Sequence, residues 1–261
     1  MSIKSAIKNG LNWGLGRFGF EIGRIVPKPT HLTNPFELQR ELVVAPEPMI
    51  FDVGAHVGGV SRLYRGLFPN AVIHSFEPFP ESFEQLVKSA EGDSRAFCHS
   101  LALSDAQGTA ILNSNARSYT NSILKTDPEA IPFWGEGKLE TMARIPVPTT
   151  TLDDFCRDNA IHHIDILKID VQGAEYAVFQ GGRGMLGSLG IDLIYTEIIT
   201  GPSYEGQRKF HEYLALLDSL GYDFLDFFNP ARTLNQLIQA DVVFVSSRFK
   251  KEFQSRPNMR R

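Results

Sequence analysis

An apolar run that empties into a glycine turn and then into a helix leaves a chain few folds to choose from. Here Ile50-Phe51-Asp52-Val53 runs into Gly54-Ala55-His56-Val57-Gly58-Gly59, and a second apolar run, Ala71 to Phe76, ends on Glu77-Pro78. A strand, a glycine turn, a helix and an acid-tipped second strand form the opening half of a wound α/β sheet. Such sheets hold adenosine-bearing cofactors beyond the carboxyl ends of their strands.

The spacing discriminates among cofactors. A dinucleotide turn wants G-x-G-x-x-G, whose second glycine lets the backbone approach a pyrophosphate. This turn has His56 there instead, and a carboxylate, Asp52, at its mouth. A carboxylate repels a pyrophosphate but suits a ligand with an ammonium and a sulfonium, so S-adenosylmethionine fits better than NAD. Glu77 follows the first glycine by roughly twenty residues, the separation at which an acid accepts from a ribose diol. The bland alternative is a tight turn and a surface acid, and NAD binding without S-adenosylmethionine binding would revive a dehydrogenase.

Apolar runs predict strands over 49–53, 71–76, 95–103, 164–169, 191–196, 222–228 and 241–246. Helical periodicity predicts helices over 58–67, 80–90, 151–159, 174–180 and 207–220. The alternation is that of a doubly wound, mainly parallel, seven-stranded α/β sheet of Rossmann-like type. Asp52, Glu77, Asp170 and Glu197 each fall at a predicted strand end, and a buried carboxylate without a partner is costly. Residues 104–150 break the rhythm as an insertion, and a loop of that length is usually functional or disordered. Its Phe133 and Trp134 suit either stacking on a substrate or capping the core.

The 261 residues leave room for one elaborated domain over 45–248, and a net charge of −4 carries no nucleic-acid footprint. Cys98 and Cys156 lack C-x-x-C spacing, which points away from a zinc site or disulfide framework and toward a reducing, cytoplasmic compartment. Residues 1–44 form a basic extension, with Ile3, Ile7, Leu11, Leu15 and Phe18 at helical intervals among Lys4, Lys8, Arg17 and Arg24. An amphipathic helix of this kind packs on a domain or lies peripherally on an anionic membrane. Residues 249–261 read as a basic tail, and His162-His163 as a polar loop. No G-x-S-x-G elbow or Walker lysine supports a hydrolase or a nucleoside triphosphatase.

A second dense motif, Ile164 to Glu175, ends its apolar strand on Asp170 and turns at Gly173. With this motif the chain resembles the FkbM family of S-adenosylmethionine-dependent methyltransferases over residues 45–247. The family signatures occur in order as Asp52 to Gly58, Phe76-Glu77-Pro78, Ala102 to Asp105, Thr151-Leu152-Asp153 and Lys168 to Glu175. Two positions depart from the family pattern: His56 replaces the usual Asn, and Gln172 replaces the common Glu.

The resemblance implies methyl transfer to oxygen, on a hydroxyl of a sugar, glycolipid or other small metabolite, which is either free or glycan- or lipid-linked. It implies a cofactor turn of Asp52, Gly54, Ala55, His56, Gly58 and Ser61 with Glu77 and Pro78, and places Leu103 and Ser104 near the adenine. Asp170 is then the first choice for the base that takes the hydroxyl proton, Glu197 stands at the acceptor, and Lys168 pairs with an acid. An alternative gives Asp170 and Glu197, with Glu175 as a third ligand, to Mg²⁺ as a Lewis acid. A different class of function is a non-catalytic cofactor-binding module recruited to a glycan-assembly complex or a membrane. Four acids at four strand ends argue against it.

Overall fold

Runs of Val, Ile and Phe suit a surface buried on both faces, and they supply the strands of the main sheet. The computed structural model describes residues 34–233 and 235–256. The amphipathic periodicity at residues 3–18 and the final residues of the tail lie outside the described residues. The strands are β1 (Met49–Val53), β2 (Val72–Phe76), β3 (Ala96–His99), β4 (Ala102–Leu103), β5 (Gly108–Asn115), β6 (Thr141–Thr150), β7 (Ile164–Ile169), β8 (Ile191–Ile199), β9 (Tyr222–Thr233) and β10 (Gln236–Ser246).

Seven of them form one sheet in the order β3-β2-β1-β7-β8-β10-β9. The first five run parallel, and β10 and β9 close the sheet as an antiparallel hairpin. Alternate side chains of each strand face opposite layers. Phe51, Val53, Phe76, Leu167 and Ile194 face one layer, built on the helices Leu152–Asp158, Glu175–Gly181 and Phe210–Ser219. Ile50, Ile73, Ile166, Leu193 and Val243 face the other, with Tyr64, Leu42, Phe249 and Phe253. The helices Pro35–Leu42 and Ser247–Ser255 therefore bury apolar side chains in the same core, and the folded body extends past both boundaries expected at 45 and 248. Among the described residues no helix is long and apolar enough to cross a membrane.

Two elements depart from expectation. The strand expected over 95–103 breaks after His99, and its second half, β4, leaves the main sheet to pair with Thr149 and Thr150 of β6. The insertion at 104–150 is not a structureless loop. β5 and β6 pair antiparallel and make, with β4, a three-stranded sheet of their own. Strand order in the main sheet reverses between β1 and β7, so the crevice for a ligand opens beyond the carboxyl ends of those two strands.

Candidate active site

The turn after β1 needs its glycines. Gly54 has φ +76°, and a Cβ there would lie 1.9 Å from the carbonyl oxygen of Asp170. Its N–H and that of Ala55 donate to the carbonyl of Phe76, which ties the turn to the end of β2. At Gly58 (φ +81°) a Cβ would lie 2.2 Å from Ser89 Oγ. That glycine allows the helix Gly59–Leu67 to pack against Pro80–Ser89, and it does not line the cavity. The next αL position is His56 (φ +49°), whose N–H donates to Glu77 Oε2 at 2.8 Å. Phe79 N–H donates to Glu77 Oε1 at 2.9 Å. Burial pushes the Glu77 carboxyl up, against these two amides, which pull it down.

The turn, Glu77 and Asp170 surround a cavity of about 260 Å³. Ala55, Pro78 and Leu103 line it as expected, with Phe76 and Leu101 completing an apolar wall. Its roof is Ser118 to Ile123 from the segment that follows β5. Ser118 Oγ lies 2.8 Å from His56 Nε2, so the roof closes on the glycine turn. Burial lowers the His56 pKa, with the charge of Asp170 opposing. A neutral imidazole is favoured there.

Asp52 does not face the cavity. It is fully buried, and its neighbours in register are Ser75 on β2 and Lys168 on β7. Lys168 Nζ lies 2.9 Å from Asp52 Oδ1 and donates to the carbonyl of Gly54 at 2.8 Å, while Ser61 Oγ donates to Asp52 Oδ2 at 2.6 Å. Burial works against the Lys168 charge, but Asp52, Asp170 and Glu77 outweigh it and hold its ammonium above the ordinary value. Asp52 and Ser61 thus support the turn from beneath, which corrects their placement among the ligand-facing residues. The repulsion argument against a pyrophosphate also fails, because Lys168 compensates the Asp52 charge. Ser104 is likewise buried, with its N–H on Thr150 and its hydroxyl on Asp105, away from the cavity that Leu103 lines.

Beyond β7 the acids are joined by an amide. Gln172 Nε2 donates to Asp170 Oδ1 at 2.8 Å and to Glu197 Oε2 at 2.9 Å, and Gln239 Nε2 donates to the other Glu197 oxygen. Glu197 sits inside β8, not at its end, and does not line the cavity. Burial, with the charges of Asp170, Glu175 and Asp241, holds its carboxyl well above the usual range. Glu175 is fully buried, accepts from Val171 N–H at 3.0 Å and Gly173 N–H at 3.2 Å, and is pushed up to about 7, chiefly by burial.

This donor set does not fit a divalent cation. Oxygens of Asp170, Glu175 and Glu197 approach within 4.8 Å of one another. Burial opposes the ionised form of Glu175 and Glu197, while Gln172 Nε2 donates to one oxygen each of Asp170 and Glu197, and Glu175 Oε1 accepts from two backbone amides. Mg²⁺ demands oxygen donors in near-octahedral array, and with these oxygens engaged by amide donors the magnesium alternative is set aside.

The segment at 113–140 is laced to the loop after β8. Trp134 Nε1 donates to Ser203 Oγ at 2.6 Å, and the indole packs with Ala130, Leu139, Ile199 and Tyr204. Trp134 therefore caps a small core of its own. Tyr204 packs on Gly173 and shares its hydroxyl proton between Thr120 O at 2.9 Å and Gln172 Oε1 at 3.1 Å. Ser118, Ser122, Tyr204 and the bridging role of Gln172 were not foreseen. Their only sequence signal is a polar stretch whose partner strands are remote.

Comparison with known proteins adds what geometry alone does not. Residues 52–224 match the family model described as the methyltransferase FkbM domain. Over 233 residues the chain is 28% identical to the 2-O-methyltransferase NoeI of Sinorhizobium fredii (strain NBRC 101917 / NGR234), covering 84% of this chain and 91% of that protein. It is 30% identical over 155 residues to methyltransferase sdnD of Sordaria araneosa, covering 51% of this chain and 60% of that protein. It is 23% identical over 155 residues to the hexuronic acid methyltransferase AglP of Haloferax volcanii, covering 59% of this chain and 57% of that protein. The family match runs from the glycine turn through Glu77 to Asp170 and beyond, along the whole rim of the cavity. The chain belongs to the FkbM methyltransferase family and is an S-adenosylmethionine-dependent methyltransferase.

Proposed function

We propose that this enzyme methylates a hydroxyl oxygen of a sugar, free or within a glycan or glycolipid, with Asp170 as the base. One observation carries the reading. Asp170 lines the cavity with Oδ1 held by Gln172, while no group among the described residues hydrogen-bonds its Oδ2. A fixed carboxylate with one open oxygen suits the removal of a hydroxyl proton. The relatives support the acceptor class, since NoeI is named for 2-O-methyl transfer and AglP for a hexuronic acid.

When bound, S-adenosylmethionine supplies an electrophilic methyl on its sulfonium. The residues that line the cavity fit it: Glu77 would accept from the ribose hydroxyls, the Gly54–His56 backbone would form the floor, and Phe76, Pro78, Leu101 and Leu103 would bound the adenine. Asp170 would take the acceptor proton at Oδ2, leaving the acceptor oxygen its electron pair for the methyl as the S–CH₃ bond breaks to the thioether. Lys168 holds the turn through Asp52 and the Gly54 carbonyl. The Ser118–Ile123 roof keeps water from the reacting atoms.

The test is methyl-labelled S-adenosylmethionine with a panel of neutral hexose, deoxyhexose and hexuronic acid glycosides, the products then treated with mild alkali. A base-stable methyl ether that disappears in Asp170→Asn supports the reading. A base-labile methyl ester, which needs no proton removal, or turnover unchanged in Asp170→Asn, rejects it.

A further inference from the structure

Position 172 is an amide held by an unusual set of constraints. Gln172 adopts φ +56°, a left-handed backbone that a non-glycine residue keeps only where its surroundings hold it. Its carbonyl accepts from Ser122 Oγ at 2.7 Å, and its side-chain Oε1 accepts from the Tyr204 hydroxyl at 3.1 Å. The same hydroxyl lies 2.9 Å from Thr120 O and shares its one proton between the two acceptors, and Gly173 lies beneath the Tyr204 ring. With Oε1 facing a hydroxyl donor, the two N–H bonds of Nε2 are directed at Asp170 and Glu197, one each.

We infer that Gln172 is a positioning residue that does the work of a bridging cation. An amide donor between two carboxyl groups fixes Asp170 through Oδ1 and leaves Oδ2 for the acceptor. It brings no positive charge that would weaken Asp170 as a base. The inference rests on Asp170 as the base of the proposed reaction, and it adds that the acceptor side is metal-independent because of one residue. A carboxylate at 172 would replace the two N–H donors by two acceptor oxygens facing Asp170 and Glu197, and the cluster would then need a cation or a shared proton to hold it together.

The experiment needs no acceptor for its first arm. Wild-type protein saturated with S-adenosylhomocysteine is titrated with Mn²⁺ and free Mn²⁺ is followed by electron paramagnetic resonance, alongside Asp170→Asn, Gln172→Glu and the double variant Gln172→Glu/Asp170→Asn. Wild type should leave millimolar Mn²⁺ free, Gln172→Glu should bind at least about tenfold more tightly, and the double variant should lose that gain. Binding by wild type that Asp170→Asn abolishes, or no gain in Gln172→Glu, overturns the inference. A second arm uses any acceptor found in the glycoside panel. Gln172→Met should lower kcat by about tenfold to a hundredfold, the scale of a small misplacement of a reacting group, with KM for S-adenosylmethionine within about threefold. Unchanged kcat there, or loss of cofactor affinity in proportion, also overturns it. Failure of the glycoside panel bears on the proposed acceptor and leaves the Mn²⁺ result standing.

Discussion

Asp52 and Asp170 sit at the ends of neighbouring strands, and burial divides their tasks. Asp52 is sealed under the turn with Lys168, whereas Asp170 reaches the cavity with one oxygen open. Removing one partner of a buried ion pair leaves an uncompensated charge. Lys168→Met should therefore destabilise the fold by about 3–5 kcal/mol, read by urea denaturation. Asp170→Asn should retain the fold, since an amide oxygen can still accept from Gln172, and should lower kcat by roughly 10²–10⁴-fold in a turnover assay. The place of Asp170 was legible because its motif announces a strand end. That of Asp52 was not, because the Ser75–Asp52–Lys168 row exists only once three strands, remote in sequence, are aligned in register.

Elements outside the wound sheet roof the cavity. The core strands could be read from the sequence as apolar runs, but β6 could not, since Pro146 and Pro148 look like breakers. β4 pairs only with Thr149 and Thr150, so β6 is unpaired on that side beside both prolines, and their missing N–H groups leave no ladder bond unmade there. The same sheet suspends the roof over the cavity and the Trp134 cap beyond it. Trp134→Phe keeps an aromatic ring but loses the donor to Ser203 and Pro202. It should cost about 1 kcal/mol and speed amide exchange in 118–140 and 200–207 ahead of the main sheet. Gly54→Ala meets both a left-handed φ and a backbone oxygen 1.9 Å away. It should abolish cofactor binding and destabilise the fold by more than about 2 kcal/mol, seen by calorimetry.

Across the whole molecule the two ends of the sheet carry different chemistry. The carboxyl ends hold the site, while the amino ends of β7 and β8 carry His163 beside Asp165 and Asp192, with Arg248 on Asp192 at 2.7 Å. The two aspartates raise the His163 pKa to about 9, first through Asp165, against a desolvation that lowers it. A histidine raised on folding adds stability that is complete below its unfolded pKa of about 6.5 and fades as pH climbs through the folded value. Thermal stability should fall between pH 7 and 9, and His163→Asn should flatten that slope. A histidine pair before a strand gave no hint of this in the sequence, because Asp192 comes from the next strand. At the other end, Glu77 should serve binding and Asp170 reaction. The deciding measurement is calorimetric titration with S-adenosylhomocysteine of wild type, Glu77→Ala and Asp170→Asn. A loss of at least about tenfold in Glu77→Ala, with Asp170→Asn within about threefold of wild type, is the expected result. Equal losses in the two variants, or no binding to wild type, would contradict it.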